Sequence, residues 1–145
     1  MTDKTITAFN VRTYALIIEK GKILLSNELI NGKEIIKFPG GGVEFGEGIV
    51  DALKREAKEE MNSRLENIKH FYTTDFFQKS QFKNTDQLIS IYYKADFFSS
   101  KEFTPKEKKP LKDTPVFFWM SLNKLKTELF HFPIDKHVCK LIHEI

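Results

Sequence analysis

The stretch Phe38–Ser63, FPGGGVEFGEGIVDALKREAKEEMNS, sets three glycines directly behind a proline and then gathers Glu56, Glu59 and Glu60 within two helical turns. Glycine loses more conformational freedom on folding than any other residue. Like charges three or four positions apart cost an isolated helix about 0.2–0.5 kcal/mol per pair. Folding alone requires neither feature in so short a segment, so the two together point to chemistry.

At about 100° per residue, a helix over Ile49–Met61 sorts its side chains into three sectors. Val50, Leu53, Ala57 and Met61 form an apolar stripe, and Asp51, Lys54, Arg55, Lys58 and Asn62 form a polar one. The third sector holds Glu56, Glu59 and Glu60 beside Ile49 and Ala52. Hard divalent cations bind carboxylate oxygens at about 2.0–2.1 Å for Mg²⁺ and would relieve the repulsion among them. Glutamate-rich faces are also commonly no more than solvated surface, with Lys54, Arg55 and Lys58 as ordinary partners.

Gly40, Gly41 and Gly42 read in two ways as well: an irregular turn after Pro39, or a glycine loop that lets backbone amides and a carbonyl approach a phosphate or metal. No Gly-Lys-Ser/Thr follows, and the spacing does not satisfy GxGxxG, so a nucleotide P-loop and a dinucleotide fingerprint are both excluded.

Outward from this stretch, Tyr14–Ser26 (YALIIEKGKILLS) reads as a hairpin turning at Gly21. Further strands are expected at Glu34–Phe38, Phe71–Phe77, Leu88–Phe97 and Val116–Met120. A second helix is expected over Asp135–Glu144, behind Pro133. Ser99–Pro115 is a polar, proline-punctuated connection of the length at which loops acquire function. The 145 residues suit a single domain spanning 1–145, and 41% hydrophobic with 30% charged residues is the composition of a globular chain. The lone Cys139 can form neither an internal disulfide nor a CxxC pair. No apolar run reaches the ~18 residues of a membrane span, and MTDKTITAFN lacks a secretion pattern. A cytoplasmic location without membrane association is expected. A net charge of +3 permits an anionic substrate without demanding nucleic acid.

Gly41, five residues, Glu47, seven residues, then Arg55-Glu56-Ala57-Lys58-Glu59-Glu60 resembles the signature of the Nudix hydrolases, Gly-x5-Glu-x7-Arg-Glu-apolar-x-Glu-Glu-x-Gly-apolar. Phe38-Pro39-Gly40 before it and Val43-Glu44-Phe45-Gly46 within it also match the family's usual context. The resemblance covers about a sixth of the chain and implies an α/β/α sandwich around a mixed β-sheet. Two positions depart from the pattern: Asn62 stands where the family has Gly, and Ser63 where it has an apolar residue. Asn tolerates the left-handed conformation of a helix C-terminus, so the turn should survive. Ser63 weakens a packing contact that Leu65 partly replaces.

The resemblance also implies roles. Glu56 would be general base or shared metal ligand. Glu59, Glu60 and the backbone carbonyl of Gly40 would hold divalent metal, Mg²⁺ with Mn²⁺ able to substitute. Arg55 would position Glu56, and Glu47 would brace the loop against the helix. Some family members take the base from a carboxylate outside the signature. Glu102, Glu107 and Asp113 are the positional candidates for a further metal carboxylate, Glu102 first, although each reads foremost as a solvated loop charge.

The expected reaction is Mg²⁺-dependent cleavage of a diphosphate linkage in a nucleoside diphosphate joined to another group, such as a nucleoside triphosphate or ADP-ribose. The partner is a small-molecule nucleotide, and a homodimer lies within what the resemblance allows. Two alternatives stand beside it: a noncatalytic nucleotide-sensing module on the same fold, and an RNA 5′-end pyrophosphohydrolase, which makes nucleic acid the less expected partner. Phe9, Arg12, Tyr14, Phe76 and Phe77 suit a nucleobase pocket or, equally, strand core, with whichever of Phe76 and Phe77 points inward read as core. Trp119 reads as structural, and His70, His131, His137 and His143 show no zinc spacing.

Overall fold

The computed structural model describes residues 2–98 and 109–145. Its first elements are strands β1 (Ala8–Glu19) and β2 (Lys22–Ile30). They are joined by Lys20 and Gly21, which both take positive φ, 50° and 76°, as a two-residue hairpin of the primed kind requires. A second hairpin leads to β3 (Lys33–Lys37) through Asn31 and Gly32, again both at positive φ.

β1 and β2 pair only beside their turn, at Ile18↔Ile23 and Glu19↔Lys22. Beyond it they part and recruit separate neighbours. β1 pairs in parallel with β6 (Asp86–Phe97) along ten positions and antiparallel with β4 (Gly40–Gly42), while β2 pairs with β3 and with β7 (Val116–Ser121). β5 (Leu65–Thr73) forms the edge beyond β6. The sheet is therefore mixed.

Side-chain alternation along β1 feeds two cores. Ala15 and Ile17 join Leu24, Ala95, Phe97 and Phe117 beneath helix α1 (Ile49–Met61), whose Leu53, Ala57 and Met61 complete the cluster. Tyr14 and Leu16 join Ile23, Leu25, Phe38 and Tyr92 beneath helix α2 (Pro133–His143), with Ile134, Val138 and Ile142. One helix on each face gives the α/β/α sandwich.

Several expectations change in detail. The glycines form no loop: Gly40–Gly42 pairs with β1 as strand β4. The strand expected at Phe71–Phe77 lies earlier, at Leu65–Thr73, and residues 74–77 lie beyond its end. Phe76 and Phe77 are 40% and 54% exposed, so neither is core. On α1 the buried stripe runs through Ala52, Leu53, Ala57 and Met61, and Val50 lies at its margin. Asn62 ends α1 in the left-handed conformation at φ 48°, and the amides of Asn62 and Ser63 donate to Lys58 and Ala57, as a glycine-type helix end does. Ser63 is buried, its hydroxyl donating to the Met61 carbonyl, and Leu65 joins the α1 core. Trp119 meets Phe97 edge to face, a packing role.

Candidate active site

Arg55 is the hub of the acidic helix. Its Nε and Nη2 donate to Glu47 at 3.0 and 2.7 Å, a bidentate pair, and Nη2 also reaches the Gly42 carbonyl at 2.9 Å. Nη1 donates to Glu56 Oε1 at 3.1 Å and Glu59 Oε2 at 3.2 Å. Charge-assisted forks of this kind fix direction as well as energy. Glu47 closes the loop by accepting the Glu44 amide at 2.8 Å. Its carboxyl is held below the usual range, first by the Arg55 hydrogen bond and then by that amide. The signature arginine thus ties loop, strand β4 and helix together.

The glycines divide the work. Gly40 sits at φ 152°, where an added Cβ would stand 2.0 Å from the Thr13 carbonyl oxygen. It is required for β4 to lie against β1. A Cβ on Gly41 would meet Glu56 Oε1 at 2.5 Å, so the bare backbone leaves room for that carboxylate. Across the ladder from Gly41 stands Thr13, fully buried, whose hydroxyl has no partner among the described residues.

The three glutamates are not equivalent. Glu59 is 58% exposed at its side chain and leans on Arg55. Glu60 is partly buried, and its carboxyl is pushed up to about 8 by that burial and then by the neighbouring charge of Glu56. Among the described residues no three His, Cys, Asp or Glu side chains are already grouped to hold a metal ion.

On the α2 side of the sheet, a cavity opens between aromatic walls, Tyr14 and Tyr92 within and Phe82 and Phe132 at its rim. Tyr14 and Tyr92 stack at 5.1 Å, and Phe82 meets Phe132 edge to face at 5.7 Å. Polar and charged residues also line it, Asn10, Arg12, Glu28, Lys37, Lys79 and Asp135 among them, and several are buried. Lys37, 3% exposed, pairs with Glu28 at 3.2 Å. Burial works to lower the Lys37 pKa, but Tyr14 and Glu28 outweigh it and the net shift is upward. Asp135 accepts from the Tyr92 hydroxyl at 2.6 Å, and burial raises its carboxyl to about 6. Arg12 lies beside them, its Nε donating to the Tyr14 hydroxyl at 2.6 Å.

Of the residues expected around a nucleobase, Arg12 and Tyr14 line this cavity. Phe9 and Phe77 border a different surface pocket near residues 2–8, and Phe76 lies against His137. Asp113 borders a neighbouring pocket together with Glu28 and Glu60, while Glu102 and Glu107 fall outside the described residues. Lys37, Glu28 and Asp135 were not singled out from sequence. The only signal for Lys37 is a lysine closing the apolar run Ile35-Ile36 just before Phe38. Asp135 reads as an ordinary acidic residue at a helix start.

The family model for the NUDIX domain matches residues 8–141. Solved structures with the same fold include a NUDIX hydrolase from Nitrosomonas europaea, at TM-score 0.72 and 21% identity over 93% of this chain and 88% of that one. The E. coli ORF135 protein aligns at 0.71 and 18% over 99% and 94%. The MutT NUDIX hydrolase from Burkholderia pseudomallei aligns at 0.67 and 23% over 91% and 96%. Comparison with curated proteins gives no match.

Proposed function

The chain belongs to the Nudix hydrolase family, and on that premise we propose that it hydrolyses a diphosphate linkage in a nucleotide with the help of Mg²⁺, for which Mn²⁺ can substitute. The observation that carries this reading is the Glu56 carboxylate, seated against the bare backbone of Gly41 and held there by Arg55.

The donor set suits a hard cation. Glu56 and Glu60 are close enough for one charge to hold back ionisation of the other, an unfavourable arrangement that a bound cation would relieve. Glu56, Glu59, Glu60 and the Gly40 carbonyl are the groups that would hold it. When bound, the metal supplies screening of the phosphate oxygens and lowers the pKa of a coordinated water.

The rest falls to the chain. Glu56 takes the proton of the attacking water as the new P–O bond forms and the bridging P–O bond breaks. Arg55 keeps Glu56 and Glu59 aimed, and Glu47 keeps Arg55 in place. The aromatic cavity receives the nucleobase, because a flat ring between Tyr14/Tyr92 and Phe82/Phe132 meets apolar faces with hydrogen-bonding groups around them.

The test is a mass-spectrometric turnover screen with Mg²⁺ over nucleoside triphosphates, ADP-ribose, dinucleoside polyphosphates, nucleotide sugars and 5′-triphosphorylated RNA, with Glu60→Gln in parallel. The expected result is cleavage at a diphosphate bond by the native protein, with the variant slower by at least about 10²-fold, in the range typical of lost catalytic groups. Full turnover by Glu60→Gln would overturn the metal assignment. Thermal shifts without any turnover would mark a nucleotide-sensing module instead.

A further inference from the structure

Three cations, Arg12, Lys37 and Lys79, border the aromatic cavity, and among the described residues only Lys37 has a carboxylate within salt-bridge distance. Lys37 is engaged by Glu28. Arg12 commits its Nε to the Tyr14 hydroxyl, and among the described residues neither terminal nitrogen has a hydrogen-bond acceptor or a carboxylate within 4 Å; Glu28 and Glu56 act on it only through space. A guanidinium carries five N–H donors in a rigid fork and stays charged at every physiological pH. Partly burying four of those donors without an acceptor is costly unless a ligand supplies one.

The side chain is also held in position. Tyr14, which fixes Nε, is itself buried and stacked on Tyr92. Arg12 faces Gly42 across the β1–β4 ladder, and a Cβ on Gly42 would stand 3.6 Å from Nη1. The guanidinium therefore lies along the glycine strand. The neighbouring Gly41 presents its other side to Glu56. The uncommitted donors thus stand on the cavity side of the glycine strand, whose other side faces Glu56, near enough for Glu56 to act on them through space.

We propose that Arg12 is the phosphate-holding residue of the cavity, its Nη groups donating to non-bridging oxygens of the phosphate attached directly to the nucleoside. The inference rests on the cavity's taking a nucleotide. It divides recognition in three: the rings take the base, Arg12 the first phosphate, and the α1 carboxylates the linkage that is cut. The Tyr14 hydroxyl acts on the phosphate only through the arginine it positions, while the Tyr14 ring remains a wall of the base site.

Calorimetric titration of the metal-free protein with the four common ribonucleosides and their 5′-monophosphates tests it. For at least one base, the native protein should bind the monophosphate about tenfold or more tighter than the nucleoside, as a charge-assisted fork would give. Arg12→Gln should bring that ratio close to one. Arg12→Lys, which keeps the charge but loses the fork, should retain part of it. Tyr14→Phe should lie between native and Arg12→Gln. A native ratio that survives in Arg12→Gln would overturn the Arg12 assignment alone. A native protein that binds neither nucleosides nor monophosphates would overturn the nucleotide cavity as well.

Discussion

Replacing Gly40, Gly41 and Gly42 one at a time by alanine should yield three different proteins, although the residues are adjacent and the substitution is the same. At Gly40 the new Cβ would stand 2.0 Å from the Thr13 carbonyl and 2.7 Å from the Tyr14 Cα, both backbone atoms of the central strand, and φ 152° is foreign to alanine. Backbone strain of about 1–3 kcal/mol, with ladder hydrogen bonds worth about 1 kcal/mol each lost as β4 moves off, puts the cost near 3–5 kcal/mol. That is a large share of a total stability of about 5–15 kcal/mol, and corresponds to a fall in Tm of about 10 °C or more. At Gly41 the Cβ would meet the Glu56 carboxylate at 2.5–2.9 Å. A side-chain end can move away, so stability should fall by only about 1 kcal/mol, but the displaced carboxylate should lower turnover about 10²-fold. At Gly42 the nearest atom is Arg12 Nη1 at 3.6 Å, an ordinary contact, and the change should stay within about 0.5 kcal/mol. Urea unfolding followed by Trp119 fluorescence, with turnover measured on the same preparations, separates the three. Equal unfolding midpoints for Gly40→Ala and Gly42→Ala would mean that β4 tolerates a Cβ against the Thr13 carbonyl, contrary to the contact at Gly40.

Tyr92→Phe removes the hydrogen bond that the buried Asp135 carboxyl accepts from the Tyr92 hydroxyl and should cost about 1–3 kcal/mol, read from the same urea curves; Tyr92→Phe with Asp135→Leu should recover part of it, since an apolar pair leaves no orphaned acceptor. The metal-free protein should lose stability as pH rises from 4.5 through about 8. Glu60, raised from 4.5 to about 8, keeps a proton in the folded state that the unfolded chain has released, so its stabilising protonation is complete below 4.5 and gone above 8. Asp135, raised from 3.8 to about 6, acts with the same sign over the lower part of that range. Chemical denaturation at stepped pH should show a flatter profile in Glu60→Gln. An unchanged slope would refute the shift.

Helix α1 was legible to the residue because its information is local: a 3.6-residue period bounded by Gly48 and Asn62. The acidic cluster was legible for the same reason. The start of β1 was not, because Asn10, Arg12 and Thr13 interrupt the apolar alternation. Two of these, Asn10 and Arg12, line the cavity, so function hides the strand. β4 consists of three residues with no side chains and has no pattern to read; only its ladder with β1 makes it a strand. The bounds of β5 are not legible because its register shifts twice, between Glu66 and Lys69 and between His70 and Tyr72, which breaks the two-residue period. The cavity joins β1, β2, β3, β6 and α2, and no local window contains it.

The parallel ladder of β1 with β6, Ala8↔Asp86 through Ile17↔Ala95, also determines when the site can exist. Closing a long loop must precede the contacts that reward it, which makes such pairings slow. During synthesis, α1 with its crowded glutamates is complete long before β6 has been made, and β1 has no partner on that side until then. Arg12 and Tyr14 come from the first strand, Tyr92 from the sixth, and Asp135 from the last helix. The cavity therefore assembles only when nearly the whole chain is in place.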